Sequence, residues 1–233
     1  MAGMAQHIYT LRNCLLRIAL VAMGCMVMLF CWREPLLNLL LQPLLSNPHA
    51  PAHIVFTGIP ELFMVYLKVA TWGGVFLGLP YAFFEVWRFL SPGLYVHEKR
   101  WVWPLLVAVP LLFYIGGVFA YTIVVPSALS FFLGFYQPGL EALPSISSYL
   151  KFLFNMCFAM GAAFNLPVIL VLLVRVGILR VEQLQKARRL AIVLIFIVAA
   201  VMTPPDPFSQ IAMAVPLVLL YEVAIFTAKR VKK

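Results

Sequence analysis

Charge is scarce in this chain, and negative charge scarcest of all: only eight Asp and Glu residues stand among 233. Charged residues make up 11% of the sequence, where a soluble domain carries roughly a quarter. Such a chain cannot cover itself with a water-compatible surface, which excludes an ordinary soluble fold. No gap between the apolar stretches is long enough to hold a separate soluble core, so residues 1–233 read as one membrane domain. Cysteine is sparse too. Cys14, Cys25, Cys31 and Cys157 show no CxxC or Cys/His spacing, so neither a disulfide framework nor a zinc site is indicated, and the thiols read as small buried hydrophobes. Catalytic signatures are missing as well. There is no HExxH, GxSxG, P-loop or Gly-rich dinucleotide turn, and His7, His49, His53 and His97 all fall in water-facing segments. No enzyme, cofactor or metal is expected.

What the chain does have is apolar sequence, 64% of its residues. It is organised as six stretches: Leu15–Trp32, Leu62–Phe84, Trp101–Val125, Tyr149–Val174, Leu190–Met202 and Ile211–Ala228. About 20 apolar residues cross the hydrocarbon core, so the expected fold class is all-α, a polytopic membrane protein with six transmembrane helices. No small-x-small cleavage pattern follows Leu29, and the first stretch is taken as a retained span rather than a signal peptide. An even number of spans puts both termini on one side. That side holds all of the 17 basic residues except Arg33, Lys68 and Lys151, and the positive-inside rule makes it the cytoplasm. The expected location is the cytoplasmic (inner) membrane. The net charge of +9 is spread over membrane flanks, which favours anionic lipids as counterpart and not nucleic acid.

The fifth and sixth spans read as short. Leu190–Met202 gives 13 residues, about 20 Å of helix against a core of about 30 Å, which implies ordinary mismatch or a deliberately thinned patch of bilayer. Outside the membrane, Pro35–Leu45 is too short to span and reads as an interfacial helix. Pro126–Ser148 reads as an outer loop.

Few polar residues invite a role. Glu98 lies in a cytoplasmic loop, Phe89–Arg100, beside Lys99 and Arg100. There it is either a solvated counter-charge or a carboxylate that captures a cation; a guanidinium takes a carboxylate through two parallel hydrogen bonds, which an ammonium cannot match. Glu222, in the last span, must find a partner, face a cavity or be protonated. Asn165 precedes Pro167 in the fourth span, where a kink with local polar repair is expected. Thr203, Asp206 and Gln210 flank the outer end of the fifth helix, where capping and turn chemistry accounts for them.

Several of these segments have a family counterpart. Phe56-Thr57-Gly58 through Glu61, then Lys68, then the unbroken run Val86–Arg100 carry the most specific pattern. Leu112–Gly116, Phe119-Ala120-Tyr121, Thr203–Gln210 and Tyr221-Glu222 continue it in order. Together they resemble the TatC subunit of the twin-arginine protein translocase along nearly the whole chain. The resemblance implies a signal-peptide receptor and core subunit that exports folded proteins, driven by the proton gradient. It implies twin-arginine signal peptides as ligands, single-span TatA/TatB-like subunits as partners, and a homo-oligomer within the complex. By the same resemblance Glu98, Phe89, Leu94, Thr10 and Arg12 belong to the signal-peptide surface, Thr203 and Gln210 to partner contacts, Asp206 to the extracytoplasmic link, and Asn165 and Glu222 to intramembrane polar positions. Two departures remove negative charge. Thr10 stands where the family pattern His-Leu-x-Glu-Leu-Arg has Glu, and Asn165 stands where many members carry Glu. Glu98 then acts alone, Glu85 substitutes, or selectivity is relaxed. A different class of function, a small-solute or ion transporter, would use Asn165 and Glu222 as a midplane site.

Overall fold

A computed structural model describes the backbone of residues 2–47, 58, 60–90, 96–134, 145–202 and 207–231, with side chains at 9–47, 58, 60–89, 107–134, 145–202 and 207–230. Among the described residues the regular structure is helical. The helices are α1 (Ala2–Cys31), α2 (Arg33–Leu45), α3 (Glu61–Leu90), α4 (Val96–Phe119), α5 (Val125–Leu133), α6 (Ile146–Phe164), α7 (Leu166–Arg175), α8 (Val181–Lys186), α9 (Arg188–Met202) and α10 (Pro207–Val231). Five segments are long and apolar enough to cross a bilayer: Tyr9–Cys31, Glu61–Phe89, Val107–Leu133, Ile146–Arg175 and Pro207–Arg230. Helix α9, with 15 residues, about 22 Å long, is the short fifth of six spans. Large apolar side chains such as Leu20, Val27, Val193 and Ile197 stand exposed along these helices, as a lipid-facing surface requires.

The sequence expectations need three corrections. The sixth span is not short: α10 runs for 25 residues. It starts at Pro207, whose fixed φ suits a first helical turn, and continues into Lys229 and Arg230, whose charge suits the carbonyl end of the dipole. The third span does not stop at Val125. A π turn at Ala120–Val124 joins α4 to α5, with the Val125 N–H donating to Ala120 O. Pro126 lies within the first turn of α5, where its missing N–H is absorbed by the wider register instead of ending the helix. Finally, the expected loop Phe89–Arg100 is helical at both ends, because α3 reaches Leu90 and α4 begins at Val96.

The chain divides into two compact units, residues 1–41 with 56–110, and residues 42–55 with 111–233. In the first, α1 and α3 pack antiparallel. Ala22 meets Gly78, Met26 meets Gly74 and Leu29 meets Gly73, so one number falls as the other rises. Gly74 and Gly78 form a small-xxx-small pair that lets the two backbones approach closely. Arg33, at the far end, lies over the rings of Phe30 and Tyr66 at 5.4 and 5.5 Å.

In the second unit α10 packs against α7, α9, α5, α6 and α8. Its buried stripe, Met213, Ala214, Leu217, Tyr221, Ala224, Ile225 and Ala228, follows the three-and-four spacing of a helix face. A Cβ on Gly116 would lie 2.5 Å from Met160 O and 2.9 Å from Gly161 Cα, and a Cβ on Gly161 would meet the Phe113 ring at 2.8 Å. Helices α4 and α6 therefore touch backbone to backbone. Helix α7 ends in a Schellman turn, with Gly177 at φ 83°, Gly177 N–H donating to Val174 O and Ile178 N–H to Leu173 O.

Gly116→Ala should therefore lower the thermal unfolding midpoint in detergent, at a cost of about 1–3 kcal/mol. Gly24→Ala has open space around its added Cβ and should be neutral or stabilising by up to about 1 kcal/mol. Equal midpoints for the two variants would refute the close crossing.

Candidate functional site

A cavity of about 220 Å³ opens in the first unit at the end of α1 and α3 that carries Arg17. Helix α1 supplies Thr10, Asn13, Cys14 and Arg17, and α3 supplies Glu85, Arg88 and Phe89. The α1 residues are spaced i, i+3, i+4, i+7. On α3, Tyr81, Glu85, Arg88 and Phe89 are spaced i, i+4, i+7, i+8. Each set lies on one helix face, and antiparallel packing turns the two faces toward each other.

Glu85 is the centre. Its side chain is only 5% exposed, yet Arg17 Nη1 lies 3.6 Å and Arg88 Nη1 3.8 Å from its Oε1. The Tyr81 hydroxyl donates to the same oxygen at 2.9 Å. A carboxylate buried at the end of a membrane span needs such compensation. The Arg17 and Arg88 side chains are 48% and 63% exposed. Both distances exceed the roughly 2.7–2.9 Å of a charge-assisted hydrogen bond, so the pairing is electrostatic and leaves guanidinium donors facing the cavity. Glu85 is thus already engaged by Arg17, Arg88 and Tyr81.

Arg12, exposed on α1, stacks over Tyr9 at 5.2 Å. Glu98 is the third residue of α4, in the first turn where the helix dipole favours negative charge; its side chain falls outside those described. Leu94, Thr203 and Asp206 lie outside the described residues.

The remaining polar positions are engaged. Asn165 is buried, 8% exposed, at the break between α6 and α7. Its backbone N–H donates to Ala162 O at 3.1 Å, while its side-chain Nδ2 donates to Gly161 O at 2.9 Å. The amide thus replaces the helical donor that the break takes from Gly161, which is the expected polar repair. Oδ1 has no hydrogen-bond partner among the described residues. Glu222 pairs with Arg188 Nη2 at 2.9 Å, both side chains 46% exposed. Gln210 Nε2 donates to Phe196 O at 3.2 Å, bracing the first turns of α10 against α9. Tyr221 donates to Leu184 O at 2.8 Å from a buried position. By sequence Arg17 and Arg88 stand out only as basic span flanks, Arg88 also within the family run, and Tyr81 and Asn13 not at all; the helical spacing of the two sets was the available signal.

These features define a multi-pass helical membrane protein whose charged side chains cluster at span ends, with one short span beside a long one. The Sec-independent protein translocase protein (TatC) family model matches residues 6–216, and the chain belongs to that family. It is 42% identical over 225 residues to the TatC of Desulforapulum autotrophicum, covering 96% of this chain and 83% of that protein. It is 34% identical over 223 residues to the TatC of Escherichia coli K12, covering 96% and 86%. A crystal structure described as twin arginine translocase receptor TatC superposes with a TM-score of 0.79 at 33% identity, covering 97% of this chain and all of that one. A second, in DDM, gives 0.79 at 34% identity, covering 95% and 99%. The chain is accordingly a translocase receptor subunit of the inner membrane and not an enzyme. The small-solute transporter reading finds no support: the Asn165 amide serves its own helix, and Glu222 is held by Arg188.

The Arg188–Glu222 contact separates two roles for Glu222. If the carboxylate serves the ion pair, Arg188→Glu should impair export, and the swap Arg188→Glu with Glu222→Arg should restore it to within about threefold, since an exposed pair contributes roughly 0–1 kcal/mol. A swap as defective as the single variant would assign Glu222 some other task, such as carrying a proton.

Proposed function

We propose that this TatC protein receives signal peptides bearing paired arginines on its cytoplasmic face and docks them through Glu98. One observation carries the reading: the run from Val86 to Arg100 resembles the family pattern almost position for position, and Glu98 falls in the first turn of α4. A single carboxylate there, in a field set by many basic residues, selects a cation with directional hydrogen bonds over one with charge alone. Phe89, Leu94, Thr10 and Arg12 extend the surface. Both termini face the cytoplasm by the distribution of Lys and Arg.

A hydrogen bond to a charged group contributes about 1.5–3 kcal/mol, so tight binding also needs the signal's apolar stretch, at roughly 25 cal/mol per Å² buried. Passage of folded cargo requires further subunits, because six spans cannot enclose so wide a pore. Single-span TatA/TatB-like proteins meet the chain near Thr203 and Gln210, several copies of the chain work together, and the proton gradient supplies the energy. Anionic lipids surround the basic flanks. Helix α9, some 8 Å shorter than a typical hydrocarbon core of about 30 Å, thins the bilayer beside it.

Binding of a twin-arginine peptide to the purified protein tests the Glu98 reading. Glu98→Gln should weaken it roughly tenfold to a hundredfold, Glu98→Lys should abolish it, and a Lys-Lys peptide should bind wild type poorly. Equal binding by all three proteins would remove Glu98 from the site. For the thinned patch, two or three Leu residues inserted into α9 should impair export while leaving peptide binding intact; normal export would rule it out.

A further inference from the structure

The cluster around Glu85 holds one more positive than negative charge, and that imbalance has a chemical use. We propose that Arg17 and Arg88 bind the phosphodiester of an anionic phospholipid headgroup, with Glu85 holding the two guanidiniums in place from below. Four observations converge. The Arg17 and Arg88 side chains are 48% and 63% exposed, and their Nη1 atoms lie 3.6 and 3.8 Å from Glu85, too far for hydrogen bonds to use up their donors. The cavity they line, about 220 Å³, has room for roughly seven waters at about 30 Å³ each, and so for a phosphate group. Asn13 and Thr10 add polar lining. Finally, Arg17 and Glu85 mark the ends of charge-free runs, Ile18–Trp32 and Val69–Phe84, which puts the cluster at the height of the headgroups.

The geometry also decides between ligand signs. A cation entering this cavity would have to displace two tethered guanidiniums from Glu85 against their high local concentration. A phosphodiester displaces nothing and neutralises the excess charge. A lipid bearing its own cationic headgroup carries its counter-charge with it and should be held less well. The inference rests on the membrane placement of the receptor reading but not on Glu98.

The full-length protein purified in detergent tests it, with retained lipid counted by native mass spectrometry. Wild type should hold phosphatidylglycerol in preference to phosphatidylcholine. Affinity should fall roughly fivefold for each arginine lost in Arg17→Gln, Arg88→Gln and the double variant. Glu85→Gln, which keeps a partner for Tyr81 and raises the net positive charge, should retain or tighten the lipid. Glu98→Lys should abolish peptide binding while leaving lipid retention unchanged, so failure of one reading is distinguishable from failure of the other. Equal retention by wild type and the double variant, loss of the lipid in Glu85→Gln, or equal retention of the two lipids would each overturn the proposal. Displacement by millimolar inorganic phosphate would reassign the site to free phosphate.

Discussion

In hydrocarbon, a backbone or side-chain polar group without a partner costs several kcal/mol, and the interruptions in this chain's helices are shaped by that cost. At the α6–α7 break, the Asn165 amide takes over the Gly161 carbonyl at 2.9 Å. Past α7, Gly177 turns the chain in a left-handed conformation that satisfies the last carbonyls. Before Pro126, a π turn supplies the wider register in which a residue without an N–H is tolerated. The Gln210 side chain ties the start of α10 to the Phe196 carbonyl of α9. Pro126 and Pro167 thus shape spans without ending them, because neighbouring groups complete the hydrogen bonding, while Gly177 ends α7 with its carbonyls satisfied.

The same cost places the ionisable residues. Glu85 is buried between two arginines and a tyrosine at one end of α1 and α3, and Glu222 is paired with Arg188 where α9 begins. In both cases the carboxylate comes from the later part of a span and a cation from the earlier part of another, with Arg88 of the same helix adding a second cation at Glu85. Antiparallel neighbours bring those positions level. Among the described residues, Glu85 and Glu222 are thereby committed to internal ion pairs. The cavity beside Thr10 is lined by two arginines and one glutamate, so its net charge is positive.

Fold class, span number and the short fifth helix were legible in the amino-acid order, because hydropathy over 20 residues is a local property. So was membership of the TatC pattern, carried by contiguous runs such as Val86–Arg100 and Thr203–Gln210. Helix ends were legible only in part. Proline at 126 reads as a stop and at 207 as part of a link, yet the first lies within a continuous span and the second starts a helix, since the outcome depends on hydrogen-bond partners nearby in the chain's path.

The linear order alone determined that this protein lives in a bilayer, how many times it crosses and to which family it belongs, because each follows from composition and spacing within a segment. Tertiary structure decided which polar residues meet. Arg17 and Glu85, or Arg188 and Glu222, stand tens of positions apart, and only the antiparallel docking of their helices, which close glycine contacts permit between α1 and α3, sets one charge against another.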